Sequence, residues 1–149
     1  FWHRVPQLDY TPLFTERQFA YCGRAHALFG CADRVTTAEA AAEEWAWRGY
    51  PVPEAMAAVA PSRITAVADN MEAVAMLILS GRHLGFLPGH FAEPYVALGL
   101  LAPLVPGHLH YDATFHLVNR SRKAQDGILT ALLEDMRSAY ASGGALAAG

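Results

Sequence analysis

No stretch of this sequence is apolar for long enough to cross a membrane. The longest uninterrupted apolar run, AVAMLIL at residues 73–79, falls far short of the roughly 20 residues a bilayer requires. Excess basic charge is missing as well. With 11 Lys and Arg against 14 Asp and Glu, the net charge is −3 and the pI is near 6.1, which argues against a segment that grips a phosphate backbone through a basic stripe. Arg120, Arg122 and Lys123 make the single basic cluster, ahead of a helix, and read as solvated. Cysteine is scarce: Cys22 and Cys31 have no CxxC spacing and no disulfide-rich context, so both read as reduced thiols of a cytoplasmic protein. Residues 1–9 carry charges and a proline but no apolar h-region, so no secretory signal is visible. The chain starts with Phe rather than Met and is expected to be a piece of a longer protein. GxSxG, P-loop and GxGxxG motifs are absent, as are internal repeats.

What is present is enough apolar residue for a core: 53% of 149 residues, which suits one domain. The most structured segment is DNMEAVAMLILSGRHLGFLP, beginning at Asp69. Asp69 stands where an N-cap belongs, and Glu72 three residues on completes capping-box spacing. The all-round apolar AVAMLIL predicts a helix covered on most of its circumference. Gly81 is the expected left-handed residue after the helix. Residues 83–87, closed by Pro88, then read as a strand covered on both faces, as in a parallel sheet.

Elsewhere, LFTERQFAYC (13–22) reads as a strand and GRAHALFG as a loop. Thr36 with Glu39 has capping-box spacing ahead of an Ala-rich helix. WAWRGY (45–50) reads as a strand ended by Pro51 and Pro53, EAMAAV as a short helical piece, and RITAV (63–67) as the strand leading into the apolar helix. GHFAEPYVALGL suggests a short helical or irregular crossing, with Pro94 near a helix start and Gly99 near its end. Residues 100–105 suit a short extended piece and 115–119 a strand. Ile128, Leu129, Leu132, Leu133 and Met136 mark one face of a last helix, and the ASGGALAAG tail reads as disordered. Alternating strands and helices predict an α/β class with a largely parallel sheet, whose ligands bind at strand carboxyl ends.

The succession MLILSGRHLGFLPGHFA, VALGLLAPLVP, YDATFHLVNRSR and an amphipathic last helix resembles the effector-binding domain of LysR-type transcriptional regulators. LFTERQFAYCGRAHALFG resembles that family's crossing strand, and the similarity runs over about residues 8–140. The resemblance implies a type 2 periplasmic-binding-protein fold of two α/β lobes. Residues 20–114 would be the second lobe; 1–19 and 115–149 would belong to the first. It further implies a small-molecule effector, a homodimer or homotetramer, a cytoplasmic location, and no enzymatic activity, cofactor or metal. DNA contact would come only through a winged helix-turn-helix absent from this chain, and RNA polymerase is a further implied partner. A solute-binding protein of a transport system is the alternative on the same fold. Many members carry Gly where this chain has His83, which is expected to face solvent as a harmless variant.

A cleft for a small ligand needs donors rather than nucleophiles. Asp69, Asn70 and Met71 form the first candidate edge, although the Asp69 carboxylate disfavours an anionic ligand and leaves neutral or cationic ones open. The loop after WAWRGY is the second. Tyr50, Pro51 and Val52 correspond by position to a cleft-lining family loop, and Arg48 can meet an effector carboxylate or lie outside as a surface charge. Tyr21 and Cys22 would lie at the hinge, with Cys22 otherwise a small buried hydrophobe. His108 and His110 form an HxH pair that would share a face on a strand, but no third ligand is evident and a solvated pair is the plainer reading. Glu43 and Glu44 read as a solvated helix face, not an acid/base pair.

Overall fold

The computed structural model describes residues 5–49, 61–105, 107–120 and 127–143. They form six strands and four helices: β1 (Leu8–Gly23), α1 (Thr37–Ala42), β2 (Trp45–Arg48), β3 (Ile64–Ala68), α2 (Met71–Leu79), β4 (Gly85–Pro88), α3 (Gly89–Ala97), β5 (Leu101–Pro103), β6 (His110–Arg120) and α4 (Gly127–Gly143). The expected helical piece EAMAAV lies outside the described residues. The chain divides into two compact units, Arg17–Asp112 and the pair of segments Phe1–Glu16 and Ala113–Gly149.

In the larger unit β2 and β3 pair in parallel, with Arg48 opposite Ala68. A parallel bridge from Trp45 to Leu84 carries this arrangement to the start of β4, where Ala46 N–H donates to the Leu84 carbonyl at 2.8 Å. Among the described residues, the parallel pairing expected from the sequence is found between β2 and β3 and at this bridge. β1 runs antiparallel to both β4 and β5 and also pairs with β6, in a four-stranded sheet that meets the two-stranded β2–β3 sheet through that bridge. A long strand entering from the other unit needs no crossover helix to join a sheet antiparallel, and helix–strand alternation carries no signal of such a strand.

The helix boundaries follow local chemistry. Thr36 Oγ1 accepts from Glu39 N–H, and the Glu39 carboxylate accepts from Thr36 N–H at 2.8 Å, the reciprocal box expected for α1. For α2 the expected cap is displaced by one residue. Asn70, not Asp69, has the extended cap conformation, and its Oδ1 accepts from Ala73 N–H at 2.8 Å. The Asp69–Glu72 box therefore does not form. Both side chains are good caps, but only the residue immediately before the first helical φ/ψ can reach the N3 amide. Gly81 has φ +77°, a backbone state that glycine adopts without a Cβ clash, and its N–H reaches the Ile78 carbonyl. Pro94 lies inside α3, well beyond the start expected for it. Having no N–H, it cannot donate the i→i−4 bond of an interior helical residue.

The core of this unit gathers Tyr21, Ala46, Val74, Ala75, Ile78, Leu87, Ala92 and Leu101. Ile78 is fully buried, and removing such a side chain from water contributes about 2–3 kcal/mol. Gly85 makes the close approach possible, since a Cβ there would lie 2.8 Å from Ile78 Cδ1. β4 is buried throughout, as a strand covered on both faces should be. α2 is not covered all round: Val74, Ala75 and Ile78 are buried, but Met76 is 65% exposed.

In the smaller unit Phe14 stacks on Phe115 at 4.7 Å and on Tyr140 at 4.3 Å. The apolar face expected of α4 is only partly used. Leu129, Leu133 and Met136 are half-buried, while Ile128 and Leu132 are exposed. The helix continues to Gly143, so residues 141–143 of the tail are helical rather than disordered.

Candidate functional site

The carboxyl ends of β2 and β3 lie side by side, and each delivers a charged residue. Arg48 ends β2, half-buried, with Nη2 donating to Gln18 Oε1 at 3.4 Å. Asp69 follows β3 and is exposed. Gly49 N–H bonds to the Ala68 carbonyl, and a Cβ on Gly49 would lie 2.8 Å from Asp69 Oδ1. Asn70 caps α2 with its side-chain oxygen, which leaves its amide nitrogen as a donor. Met71 opens the helix, whose first-turn N–H groups have no intrahelical acceptor.

A small recess of about 10 Å³, room for no more than a water, lies beside Arg48 and is lined by Ala46, Trp47, Val74, Phe86 and Tyr111. Its aromatic wall is mutually braced. Phe86 meets Trp47 edge-on at 5.8 Å and Tyr111 edge-on at 5.3 Å. One cation beside aromatic walls, with a carboxylate on the adjacent strand end, suits recognition of a small polar or charged molecule. Among the described residues no group of three His, Cys, Asp or Glu side chains could hold a metal ion.

The other expected residues fall elsewhere. Tyr21 is in the core, paired opposite Gly85 and Pro103, and burial raises the pKa of its hydroxyl. Cys22 is fully buried and its thiol is pushed up to about 11, above all by burial, which leaves little thiolate at neutral pH. Tyr50, Pro51 and Val52 lie outside the described residues. His108 sits in the turn before β6, so the strand alternation invoked for it and His110 does not apply. Glu44 is no free solvated carboxylate, since it receives Arg82 at 2.8 Å and Arg63 at 3.0 Å. Those guanidiniums, Arg82 first, hold its pKa below the usual carboxylate range.

Sequence reasoning missed Gln18, 2% exposed and bonded to Arg48. The signal was available, because Gln18 shares its strand face with the buried Ala20 and Cys22. It also missed the bidentate pair Arg17–Asp112, at 2.8 and 3.1 Å, whose members come from opposite ends of the unit's sequence.

The sequence model described as the LysR substrate binding domain matches residues 2–141. The chain belongs to that family. This LysR effector-binding domain is 37% identical over 129 residues to the HTH-type transcriptional activator BauR of Pseudomonas aeruginosa, a match that covers 85% of the chain and 42% of the relative. It thus spans less than half the length of that curated relative. Among solved structures it resembles ArgP from Mycobacterium tuberculosis (TM-score 0.69, 22% identity, 95% of this chain and 49% of that one). It also resembles the CcmR regulatory domain of Synechocystis PCC6803 in complex with 2-PG (TM-score 0.67, 18% identity, 89% and 67%). At these identities the likeness shows a shared fold, the α/β architecture of LysR regulatory domains. No helix among the described residues is long and apolar enough to cross a membrane.

Proposed function

We propose that the domain binds a small-molecule effector at the carboxyl ends of β2 and β3 and, as part of a cytoplasmic transcription regulator, transmits occupancy to DNA-binding parts outside these residues. The observation that carries the site is the half-buried Arg48 at the carboxyl end of β2, opposite Ala68 and next to the exposed Asp69 and Asn70. Arg48 supplies a charge-assisted bond to a ligand oxygen, Asn70 an amide donor, and Asp69 a counter-charge that selects against a purely anionic ligand. Met71 belongs to the same proposed site, and Tyr50, Pro51, Val52, Tyr21 and Cys22 are proposed as effector contacts on the family resemblance alone. In this reading residues 20–114 form the second regulatory lobe, and 1–19 with 115–149 belong to the first. The role is binding without catalysis. Transcriptional control is supported by the family and by the name of the relative from Pseudomonas aeruginosa.

The regulator is proposed to act as a homodimer or homotetramer and to communicate with RNA polymerase. α2 leaves Met76 exposed, and β3 leaves Ile64 and Val67 exposed, apolar surface of the kind a partner subunit covers. Met76→Lys is expected to weaken self-association in sedimentation experiments, and an unchanged oligomer removes α2 from the interface. For the effector site, a thermal-shift screen of small carboxylates and amines on the full-length protein should yield a stabilising ligand. Its effect should be lost in Arg48→Ala, and a ligand that stabilises both proteins equally refutes the site.

A further inference from the structure

His83 does not face solvent as the sequence suggested. It is 8% exposed, and its Nδ1 is buried without a hydrogen-bond partner among the described residues. A second buried imidazole stands near it. His26, also 8% exposed, lies on the turn after β1, where its Nδ1 accepts from Leu28 N–H at 3.1 Å. That bond assigns the ring proton to Nε2, which faces Glu43 at 3.9 Å. Burial lowers the pKa of His26, Glu43 opposes this, and a charge on His83 would lower it further.

The segments bearing the two rings pack tightly. A Cβ on Gly81 would come within 2.5 Å of Ala25 Cβ. Each ring has a carboxylate in its vicinity, Glu43 for His26 and Glu44 for His83. Glu43 caps the end of α1, and Glu44, on the link into β2, is held by Arg63 from the start of β3 and Arg82 from the α2–β4 turn. Arg24, on the same turn as His26, donates to the carbonyls of Gly99 and Leu98. Among the described residues, Glu43 is the carboxylate within ion-pair reach of His26.

We infer that His26, packed beside the α2–β4 turn that carries His83, is a proton-operated latch on the turn at residues 24–28, closed while the His26 imidazole is neutral and opened when it is protonated. A proton on Nδ1 of His26 removes the acceptor of Leu28 N–H, so the charged ring and the closed turn exclude each other. The sign follows from the lowered folded-state pKa of His26. The latch contributes stability above the ordinary histidine value of about 6.5, and that contribution is lost as the pH falls below it. The latch stands at the amino ends of β2 and β4, away from Arg48 and Asp69, and does not rest on the effector reading.

Hydrogen exchange on the full-length protein tests the latch. Protection of the Leu28 amide, corrected for the intrinsic pH dependence of exchange, is expected to be lost progressively from pH 7.5 to pH 5.5. The double variant His26→Asn, His83→Asn should keep it, because Asn offers Oδ1 in place of Nδ1 but takes up no proton. Equal wild-type protection at both pH values overturns the latch, as does an equal fall in the folded variant. If the variant does not fold, wild-type NMR decides. A Leu28 amide resonance that titrates with the His26 ring supports the latch, and one indifferent to that titration overturns it.

Discussion

The two ends of the parallel strands are built differently. At the amino ends the fold closes on itself: Trp45 is fully buried, its Nε1 donates to the Ala40 carbonyl at 2.8 Å, and its ring stacks on Phe86 at 5.1 Å. Glu44 beside it holds two arginines. At the carboxyl ends Arg48 is half-buried, Asp69 and Asn70 are exposed, and Asp69 makes no ion pair among the described residues. Stability is concentrated at one end and available polar chemistry at the other, the division expected where a rigid sheet presents a ligand at its carboxyl edge.

Substitutions at the two ends should separate along the same line. The largest effect belongs to Trp45→Ala, expected to cost about 3–5 kcal/mol in urea denaturation; a loss under about 1 kcal/mol would erase the contrast. Arg48→Ala should weaken effector binding by about tenfold to a hundredfold, the range for a hydrogen bond to a charged group, with little change in Tm. Titration calorimetry reads the first and a melting curve the second. Asn70→Ala should cost about 1 kcal/mol, as loss of a helix cap does, whereas Asp69→Ala should stay within about 0.5 kcal/mol. Equal costs would return the cap to Asp69. Smallest is the acid response of Glu44. Its lowered pKa means the Arg82 and Arg63 pairs contribute above the ordinary carboxylate value, and that contribution fades as the pH falls through the folded-state value. Glu44→Gln should therefore flatten the acid limb of a Tm-against-pH curve, and an unaltered limb shows that solvent already screens these pairs.

Local features were legible in the sequence where both partners lie within one turn. Thr36 and Glu39 fix the start of α1, and Gly81 fixes the end of α2. Adjacent Asp69 and Asn70 are both good caps, so composition alone placed the α2 cap one residue early. The burial of His83 depends on the distant turn carrying Ala25 and His26, which no local pattern encodes. The Arg17–Asp112 pair and the antiparallel course of β1 are non-local in the same sense. The family resemblance supplied the architecture that periodicity left open, because the order of its segments records long-range packing. Arg48 was legible as a candidate from its place after a short strand, but its bond to Gln18 needed the fold.

The proposed effector site at Arg48 is tested most directly by titration calorimetry of full-length wild type, Arg48→Ala and His83→Asn with a ligand found by thermal shift. Arg48→Ala should weaken binding at least about tenfold, and His83→Asn, at the opposite strand ends, should leave Kd unchanged at pH 7.5. Undiminished affinity in Arg48→Ala, with loss in His83→Asn, would contradict the proposed site.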